Sequence, residues 1–518
     1  MSTTVFRKKF VKTLISSVVA GCTLFAAPVS AQDDFSLPDI GNSAGSVVAD
    51  HDERAYGRAL MREFHRRAQT IEDPLLIDYI DHLGYKLVSH SNDPSRSFTF
   101  FLVNSDVVNA FAAPGGYIGI HSQLMLEAED EAELAGVMAH EVAHVTQRHI
   151  ARAIEARSRM SLPMTLLMLG AIAAGAATGN GDALQAGVLG TQAAAAQLQI
   201  NFTRHNEHEA DRIGIQTLAK AGFDPIGMAD FFGRMQRISR NYSKAPSEFL
   251  RTHPIEATRI AEAKNRAEQM QYKPTPGYDP QTFQFMRERV RVLSSKKPQQ
   301  LIAYYRDQIS QREDHAAQRY GLALTHLALN DPIAATEALQ SLGTEHQQRL
   351  AVRLAQAEVN FAGQPSHGNN ETFAELIEQY PDNLAVIKSW ADSLVERNAA
   401  GDAKKAERLL RPLVLRNADN ANLQRSYTLA ADGAGFPVRA GEAYAQQMYL
   451  HGRLHDAVSQ LENLAQYQTL DYYQKARIDA RLERLVPELE ELQEEGGWDP
   501  SEGKGRRLQH HSGRIDRS

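Results

Sequence analysis

His140-Glu141-Val142-Ala143-His144 is the stretch that decides the fold class and the chemistry of this 518-residue chain. Residues four apart lie on one face of an α-helix, so both imidazoles can point at the same metal ion. Glu141 is placed to polarise a water held there, which is the pattern of zinc proteases. The alternative is a chance match on a solvated helix, and the presence of a third ligand would decide between the two.

The third ligand is predicted downstream, in Asn206-Glu207-His208-Glu209-Ala210-Asp211, where a second helical pattern begins. Glu207 and Asp211 share a helix face, whereas Glu209 points elsewhere. A carboxylate completes a His2Glu catalytic zinc site, and Asp211 is placed to fix the tautomer of a ligating imidazole. For these carboxylates alone, an acidic first turn favoured by the helix macrodipole is the simpler alternative.

The nearest other histidine is predicted not to bind the metal. His149 follows His144 by five residues, so a regular helix would turn it by about 140° and leave it solvated or capping. A metzincin-type site is excluded because Gln147 and Ile150 occupy the positions where that site needs Gly and His. Two further histidines are predicted at the surface: His205 and His208.

Two strands are predicted upstream of the motif, over Phe98 to Val103 and over Gly116 to Ile120. A strand just before a zinc helix can pair with an extended peptide through main-chain hydrogen bonds. Gly116, Tyr117 and Ile118 are therefore predicted as a substrate-edge strand. A purely structural hairpin is the alternative.

Taken together, the motifs resemble those of the BepA-type periplasmic metalloproteases of Gram-negative bacteria. The wider family contains other HExxH proteases with a downstream glutamate ligand, including CAAX-prenyl proteases and HtpX. The resemblance covers nearly the whole chain, counting the C-terminal repeats described below. It rests on four segments: Asn109-Ala110-Phe111-Ala112-Ala113-Pro114-Gly115-Gly116-Tyr117, His140-Glu141-x-x-His144, Asn206-Glu207-x-x-Ala210-Asp211-Arg212-x-Gly214 and Thr252-His253-Pro254.

The resemblance also implies roles for single residues. It gives Asp211 a catalytic role as proton donor, where spacing alone gives only orientation of a ligand. It makes His253 a regulatory fourth ligand that displaces the catalytic water, since a zinc with four protein ligands has no open position. It implies one Zn²⁺ per chain, with Glu141 as catalytic base and three protein ligands: His140, His144 and Glu207.

The N-terminus carries a predicted secretory signal over residues 1–31. Basic residues precede an apolar run from Leu14 to Ala27, and Val29-Ser30-Ala31 forms a cleavage site. Cys22, the only cysteine, lies inside this segment. A lipidated N-terminus at Cys22 is the less favoured alternative, because the sequence stays apolar after it. Cleavage after Ala31 predicts a periplasmic chain without disulfides.

Composition is that of a globular protein, with 43% hydrophobic and 23% charged residues. Loss of the four basic residues of the signal would shift the net charge from −7 to −11, which argues against a nucleic-acid binder. Residues 162–177 are apolar but fall short of the roughly 20 residues that cross a bilayer. A buried or site-covering helical pair is predicted there, and peripheral membrane association is left open.

The length requires more than one domain. A linker over 32–52 precedes an α+β, mainly α, HExxH gluzincin-like peptidase domain over 53–275. An all-α tetratricopeptide repeat solenoid of about four degenerate units is predicted over 285–495, followed by a disordered basic tail over 496–518. Its repeat turns are predicted at Asp331, Gly363, Gly401 and Gly452.

Two functions from different classes follow. The resemblance implies a zinc metalloendopeptidase and chaperone of outer-membrane protein quality control. It would degrade unfolded or misassembled outer-membrane proteins and dock on the β-barrel assembly machinery through its repeats. The alternative is a repeat-based chaperone or scaffold with a latched, mostly structural zinc.

Overall fold

The computed structural model describes residues 70–156, 203–241, 248–311 except 275, 315–363 and 370–494, with scattered positions between 53 and 64. The predicted signal with Cys22, the linker, the apolar segment 162–177 and the tail 496–518 lie outside the described residues. The described part is mainly helical with one small sheet, as the sequence predicts. None of its helices combines the length and the apolar character needed to span a membrane.

The sheet has four strands: β1 (Thr70–Ile71), β2 (Thr99–Val103), β3 (Ala110–Ala113) and β4 (Tyr117–His121). Their spatial order is β1-β2-β4-β3. β2 runs parallel to β4, whereas β1 pairs antiparallel with β2 and β3 pairs antiparallel with β4. The two strands predicted from the sequence are thus β2 and β4, and they are neighbours.

This order corrects the edge role predicted for Gly116, Tyr117 and Ile118. Tyr117 and Ile118 are paired on both sides, with β2 and with β3. The carbonyl of Gly116 accepts a hydrogen bond from the backbone N–H of Thr99 at 3.0 Å. The prediction was wrong because the β3–β4 hairpin folds β3 to the outside. In the described sheet, β3 is therefore the open edge on this side.

The helix that carries the HExxH motif is α3 (Glu131–Thr146), which follows α1 (Pro74–Ser89) and α2 (Ser122–Glu127). The Asp130 side chain caps α3 by accepting from the backbone N–H of Glu133 at 2.9 Å. Nearly every residue of α3 is buried, which is typical of a central helix covered on all sides.

Small residues let the neighbouring helices approach α3 closely. A side chain at Gly136 would meet the backbone of Met228 at 2.9 Å, and one at Gly214 would meet the backbone nitrogen of His140 at 3.1 Å. The helices that follow α3 in sequence are α4 (149–156), α5 (203–220), α6 (Ile226–Asn241), α7 (Glu248–Thr252) and α8 (Ala257–Glu268).

The C-terminal part is a series of helices in which most successive pairs pack side by side, consistent with a repeat solenoid. They are α9 (Gln281–Ser294), α10 (Pro298–Gln311), α11 (Ala316–Ala328), α12 (Pro332–Gln340), α13 (Leu350–Gly363), α14 (Asn370–Gln379), α15 (Leu384–Arg397), α16 (Asp402–Arg416), α17 (Ala421–Gly433), α18 (Pro437–Leu450), α19 (Leu454–Ala465) and α20 (Tyr472–Glu494).

The predicted repeat turns coincide with breaks between helices. Asp331 caps α12 through the backbone N–H of Ala334, and Gly363 ends α13. Gly401 and Gly452 adopt φ values of 89° and 71°, which favour glycine. Three helices, α16, α17 and α18, lie between these two turns and account for their wide spacing. The assignment of the units as tetratricopeptide repeats stays a prediction.

One hydrophobic core extends from the sheet through α3 and α9 into the repeat helices as far as α18. Helix α9 joins the two regions: Phe283 and Phe285 are fully buried, and Arg289 forms an ion pair with Asp73 at 2.7 Å. Asp73 in turn caps α1 through the backbone N–H of Leu76. The peptidase and repeat segments predicted from the sequence therefore pack as one body, and their boundaries stay predictions.

Candidate metal centre

Four side chains from three separate segments of the sequence converge on one buried point. His140 and His144 come from α3, Glu207 from α5, and His253 from the residue after α7. One ligand atom of each lies within 4.8 Å of the others. The structure thus brings together the predicted metal ligands and the predicted fourth ligand.

The separations between these atoms fit a tetrahedral metal site. The Nε2 atoms of His140 and His144 are 3.0 Å apart, and each lies 3.4 Å from an oxygen of Glu207. Nδ1 of His253 lies 3.3 Å from Nε2 of His140 and 3.1 Å from Glu207. Ligand atoms about 2.0–2.1 Å from a zinc ion stand roughly 3.3–3.4 Å apart at the corners of a tetrahedron. The donor set therefore fits such an ion.

The electrostatics of the pocket favour a cation. Burial lowers the pKa of His140, but contacts with Asp211 and Glu207 outweigh it and raise that pKa to about 10. Burial raises the pKa of Glu207, yet the charge of His253 and hydrogen bonds from the imidazoles hold it well below its usual range. A pocket that attracts a proton so strongly also attracts a divalent ion.

Glu141 lies beside the ligands, with only 1% of its surface exposed. Its Oε1 atom is buried without a hydrogen-bond partner among the described residues, at 3.4 Å from Nε2 of His253. A buried acceptor without a partner is costly unless a bound molecule satisfies it. The position suits a group that receives a proton from a water bound at the metal site.

Helix α7 holds His253 against the ligands. The buried ring of Phe249 packs against Phe231 and lies 5.2 Å from the ring of His253. The backbone N–H of Phe249 donates to the carbonyl of Val108, just before β3. The backbone N–H of His253 donates to the carbonyl of Phe249 at 2.7 Å. His253 is therefore anchored through a short helix whose buried residue is Phe249.

Asp211 stands behind His140, as the spacing predicts. Its Oδ1 atom lies 3.0 Å from Nδ1 of His140, although the alignment falls short of a good hydrogen bond. Both oxygens accept from Arg259 at 2.7 Å. Burial raises the pKa of Asp211, but His140 and then Arg259 lower it below its usual value. The contacts suit an ionised orienting group, and the proton-donor role stays a prediction.

Sequence analysis missed Arg259, which is 2% exposed and also lies 3.0 Å from Glu207. It donates to the carbonyl of Pro254 at 2.7 Å, which ties it to the His253 segment. No motif of the sequence marks this arginine, because it belongs to α8 and meets Asp211 only through the tertiary fold.

The prediction that His149 is solvated is wrong. Its side chain is buried, and its Nδ1 atom lies 2.8 Å from Nδ1 of His144. The regular helix assumed in the prediction ends at Thr146, and Arg148 adopts a left-handed φ of 55° before α4 begins at 149. This break turns His149 back onto His144, and neither glycine nor proline marks it.

Three other polar residues of α5 lie where the sequence places them. Glu209 turns away from the metal ligands and accepts from Arg152 at 2.8 Å. His205 is exposed, and His208 is partly exposed and lies 3.3 Å from Glu262.

Comparison with known proteins agrees with this geometry. The model of peptidase family M48 matches residues 74–267, which span β2, β3, β4 and every residue of the metal centre. The chain is 36% identical over 490 residues to the beta-barrel assembly-enhancing protease of Escherichia coli K12, covering 92% of this chain and 96% of that protein. It is 34% identical over 487 residues to the protein of the same name from Yersinia pestis, covering 92% and 97%.

A third relative is the putative beta-barrel assembly-enhancing protease of Vibrio cholerae, 45% identical over 252 residues, or 48% of this chain and 51% of that protein. Two of these matches extend over almost the full length of both partners. The chain therefore belongs to the family of the beta-barrel assembly-enhancing proteases and is a metalloendopeptidase with a catalytic domain of peptidase family M48.

Proposed function

We propose that this chain is a periplasmic, zinc-dependent endopeptidase and chaperone that degrades unfolded or misassembled outer-membrane proteins and aids assembly of productive ones. The observation that carries the proposal is the convergence of His140, His144 and Glu207 beside the buried Glu141. The predicted signal over 1–31 supports the compartment. The name of the relatives, which refers to β-barrel assembly, supports the class of client.

The donor set favours zinc, because two imidazoles and one carboxylate form a common catalytic zinc site. Bound there, the ion would supply Lewis acidity and lower the pKa of a water towards neutrality. Glu141 then accepts a proton from the attacking water and passes it to the leaving amine. Asp211, held by Arg259, keeps the His140 ring oriented.

We propose further that His253 is a latch. Its Nδ1 atom completes the ligand set and its Nε2 atom faces Glu141, so it occupies the space that water and substrate need. Activity would require His253 and α7 to move away. The buried contacts of Phe249 make this movement costly, which would keep the enzyme closed until a client binds.

The closed ligand set is also the observation that favours the rival function, a repeat-based chaperone or scaffold with a structural zinc. The test compares zinc content and degradation of an unfolded outer-membrane protein for wild type, Glu141→Gln and His253→Ala. We expect Glu141→Gln to keep zinc and lose at least 100-fold in proteolysis. His253→Ala should keep zinc and raise proteolysis.

Each variant has an outcome that contradicts its part of the proposal. If Glu141→Gln keeps the full effect of wild type on the assembly of outer-membrane proteins, the scaffold function would be favoured. Unchanged or lower proteolysis in His253→Ala with zinc retained would remove the latch. The exposed His205→Ala serves as control and should match wild type in both measurements.

We propose that an extended substrate adds to β3, the open edge of the described sheet, rather than to β4. Helix α3 packs against β3, so a chain at this edge would lie beside the metal centre. Recognition would then use the backbone of the substrate. Backbone N-methylation of a model peptide near its scissile bond should lower kcat/KM more than side-chain substitutions do. The reverse ranking would argue against this mode.

We propose that clients or the assembly machinery contact the repeats. A cavity of about 850 Å³ lies between the start of α1 and the repeat helices α13 and α15, lined by residues that include Asp73, Glu358, Phe361, Lys388 and Ser393. A photo-crosslinker at Ser393 should capture an unfolded outer-membrane protein. The same label at Leu415, which is exposed and outside the cavity, is the control. Equal capture from both positions would contradict the proposal.

A further inference from the structure

The two metal-binding histidines of α3 have different partners behind them. His140 is backed by the carboxylate of Asp211. His144 is backed by another imidazole, that of His149, at 2.8 Å between the two Nδ1 atoms. Nε2 of His149 lies 3.2 Å from an oxygen of Glu209, and Arg152 donates to the same oxygen at 2.8 Å.

We propose that His149, supported by Glu209 and Arg152, is a positioning residue that holds His144 in the tautomer and orientation needed to bind the metal ion. The proposal rests on the zinc site put forward above. Ligating histidines commonly donate their second ring N–H to a fixed acceptor, which sets the tautomer and strengthens the ligand.

The direction of each hydrogen bond follows from which ring nitrogen of His144 faces the metal ligands. His144 presents Nε2 to the ligand cluster, so its proton sits on Nδ1. That N–H can donate only if Nδ1 of His149 is free of a proton and accepts. His149 then carries its proton on Nε2, which donates to Glu209. Arg152 donates to the same oxygen of Glu209 and holds the carboxylate ionised.

The local backbone is shaped to make this contact. Arg148 adopts a φ of 55°, a left-handed conformation that is unfavourable for a non-glycine residue. This break between α3 and α4 brings His149 against His144, whereas a continuous helix would turn it away. The side chain of His149 is 4% exposed, so its two ring nitrogens find their partners inside the protein. The contact is therefore built into the helix break.

The test measures zinc affinity by competition with a chelator of known affinity. His149→Leu removes the acceptor and should weaken zinc binding 10-fold to 100-fold. His149→Asn places an amide oxygen near the position of Nδ1, so it should lose less than His149→Leu. His205→Ala, on the exposed side of α5, is the matched control and should bind zinc like wild type.

A second comparison tests the chain of contacts. Glu209→Gln should weaken zinc binding less than His149→Leu, because it acts through His149. In the His149→Leu background the same change should add nothing, since residues that act through one another are not additive. The ¹⁵N signals of His144 in the zinc-bound protein should report a protonated Nδ1 in wild type and a perturbed one in His149→Leu.

The outcomes separate this inference from the zinc site itself. Wild type without measurable zinc affinity would overturn the metal site and the positioning role with it. Zinc bound by wild type and equally well by His149→Leu and Glu209→Gln would overturn the positioning role alone, even if thermal stability fell. Equal losses in His149→Leu and His149→Asn would contradict the hydrogen-bond direction on which the role depends.

Discussion

Arg259 balances two buried carboxylates beside the metal ligands. It contacts Asp211 with two hydrogen bonds of 2.7 Å and lies 3.0 Å from Glu207. Both carboxylates are at most 5% exposed, so water cannot replace the guanidinium. The same side chain donates to the carbonyl of Pro254 next to His253. One residue thus supports the ligand Glu207, the orienting Asp211 and the latch segment.

Replacing Arg259 with Met should destabilise the metal-free protein by about 3–5 kcal/mol, because it leaves a buried charge without its partner. Arg259→Lys keeps the charge but loses the two-pronged geometry, so its loss should be intermediate. Urea unfolding after chelator treatment measures both. The surface pair of Arg416 and Asp382 provides the control, since Arg416→Met should cost less than about 1 kcal/mol. Equal losses at the two sites would contradict the role of Arg259.

Among single residues, the metal ligands could be predicted from the sequence, whereas the residues that support them could not. His140, His144 and Glu207 follow from helical spacing, which is a local property of the chain. Arg259 reaches the site from α8, and only the tertiary packing brings it there. His149 was misplaced because the prediction continued α3 past Thr146, whereas Arg148 breaks the helix.

Among the helices that the structure describes, α7 is the shortest, and it has the largest proposed regulatory role. It spans only Glu248–Thr252, too short to be stable without tertiary contacts. Its anchor is Phe249, which is fully buried and packs edge-to-face on Phe231. It also meets the start of β3, where the N–H of Phe249 bonds to Val108. Movement of α7 would therefore free both the ligand set and this end of the proposed substrate edge.

Phe249→Leu should loosen α7 without replacing a metal ligand. A loss of about 1.4 kcal/mol that falls on the closed state alone would raise the open population, and with it basal proteolysis, up to tenfold. The measurement is the initial rate of degradation at fixed zinc occupancy. Phe283→Leu, at a fully buried position in α9, is the control and should lower stability without raising proteolysis. Similar activation by both variants would point to general loosening instead of a latch.

The strands illustrate which part of a sheet the sequence predicts. Aromatic and β-branched residues placed β2 and β4 within one residue of their observed limits. Pairing order depends on contacts between segments, so the edge was assigned to β4 although β3 lies outside it. Ala110–Ala113 is short and rich in alanine, and it carries little strand signal of its own.

For the whole molecule, the main departure from expectation is that the peptidase and the repeats share a core. The sequence separates them at a Pro-Gly break near 275, which marks the end of a helical pattern but says nothing of docking. Contacts such as Asn383 to Asp78, at 3.4 Å, join the start of α15 to α1. Such pairs depend on the way the solenoid curves, and single-sequence patterns do not encode that curvature.

The stability of the folded protein at this junction also depends on pH. Burial, and then the charge of Asp78, raises the pKa of the Asp81 carboxyl from 3.8 to about 6. Well below pH 3.8 the carboxyl is protonated in both folded and unfolded chains, so it has no effect on stability. As pH rises through 4 to 6 the folded protein loses stability, because it resists ionisation more than the unfolded chain does.

Asp81→Asn should therefore stabilise the protein above pH 6, by about 1 kcal/mol after allowance for partial exposure, and by much less near pH 4. Urea unfolding at the two pH values measures the difference. Asp432→Asn, at an exposed position, should change stability little at either pH. A gain that persists unchanged at pH 4 would contradict the ionisation argument.

The last repeats should unfold independently of the rest, because the core divides at α18. Ala440 and Ala443 of this helix belong to the main cluster, whereas Val438 and Ala445 belong to a second cluster formed with α19 and α20. Leu485→Ala, in the second cluster, should cost about 2–5 kcal/mol and speed amide hydrogen exchange in α19 and α20 only. Leu354→Ala, equally buried in the main cluster, should speed exchange in α3 and α13 alike. Faster amide exchange of α3 in Leu485→Ala would mean that the two clusters open as one unit. Binding at the last repeats could then change the conformation of the metal centre directly.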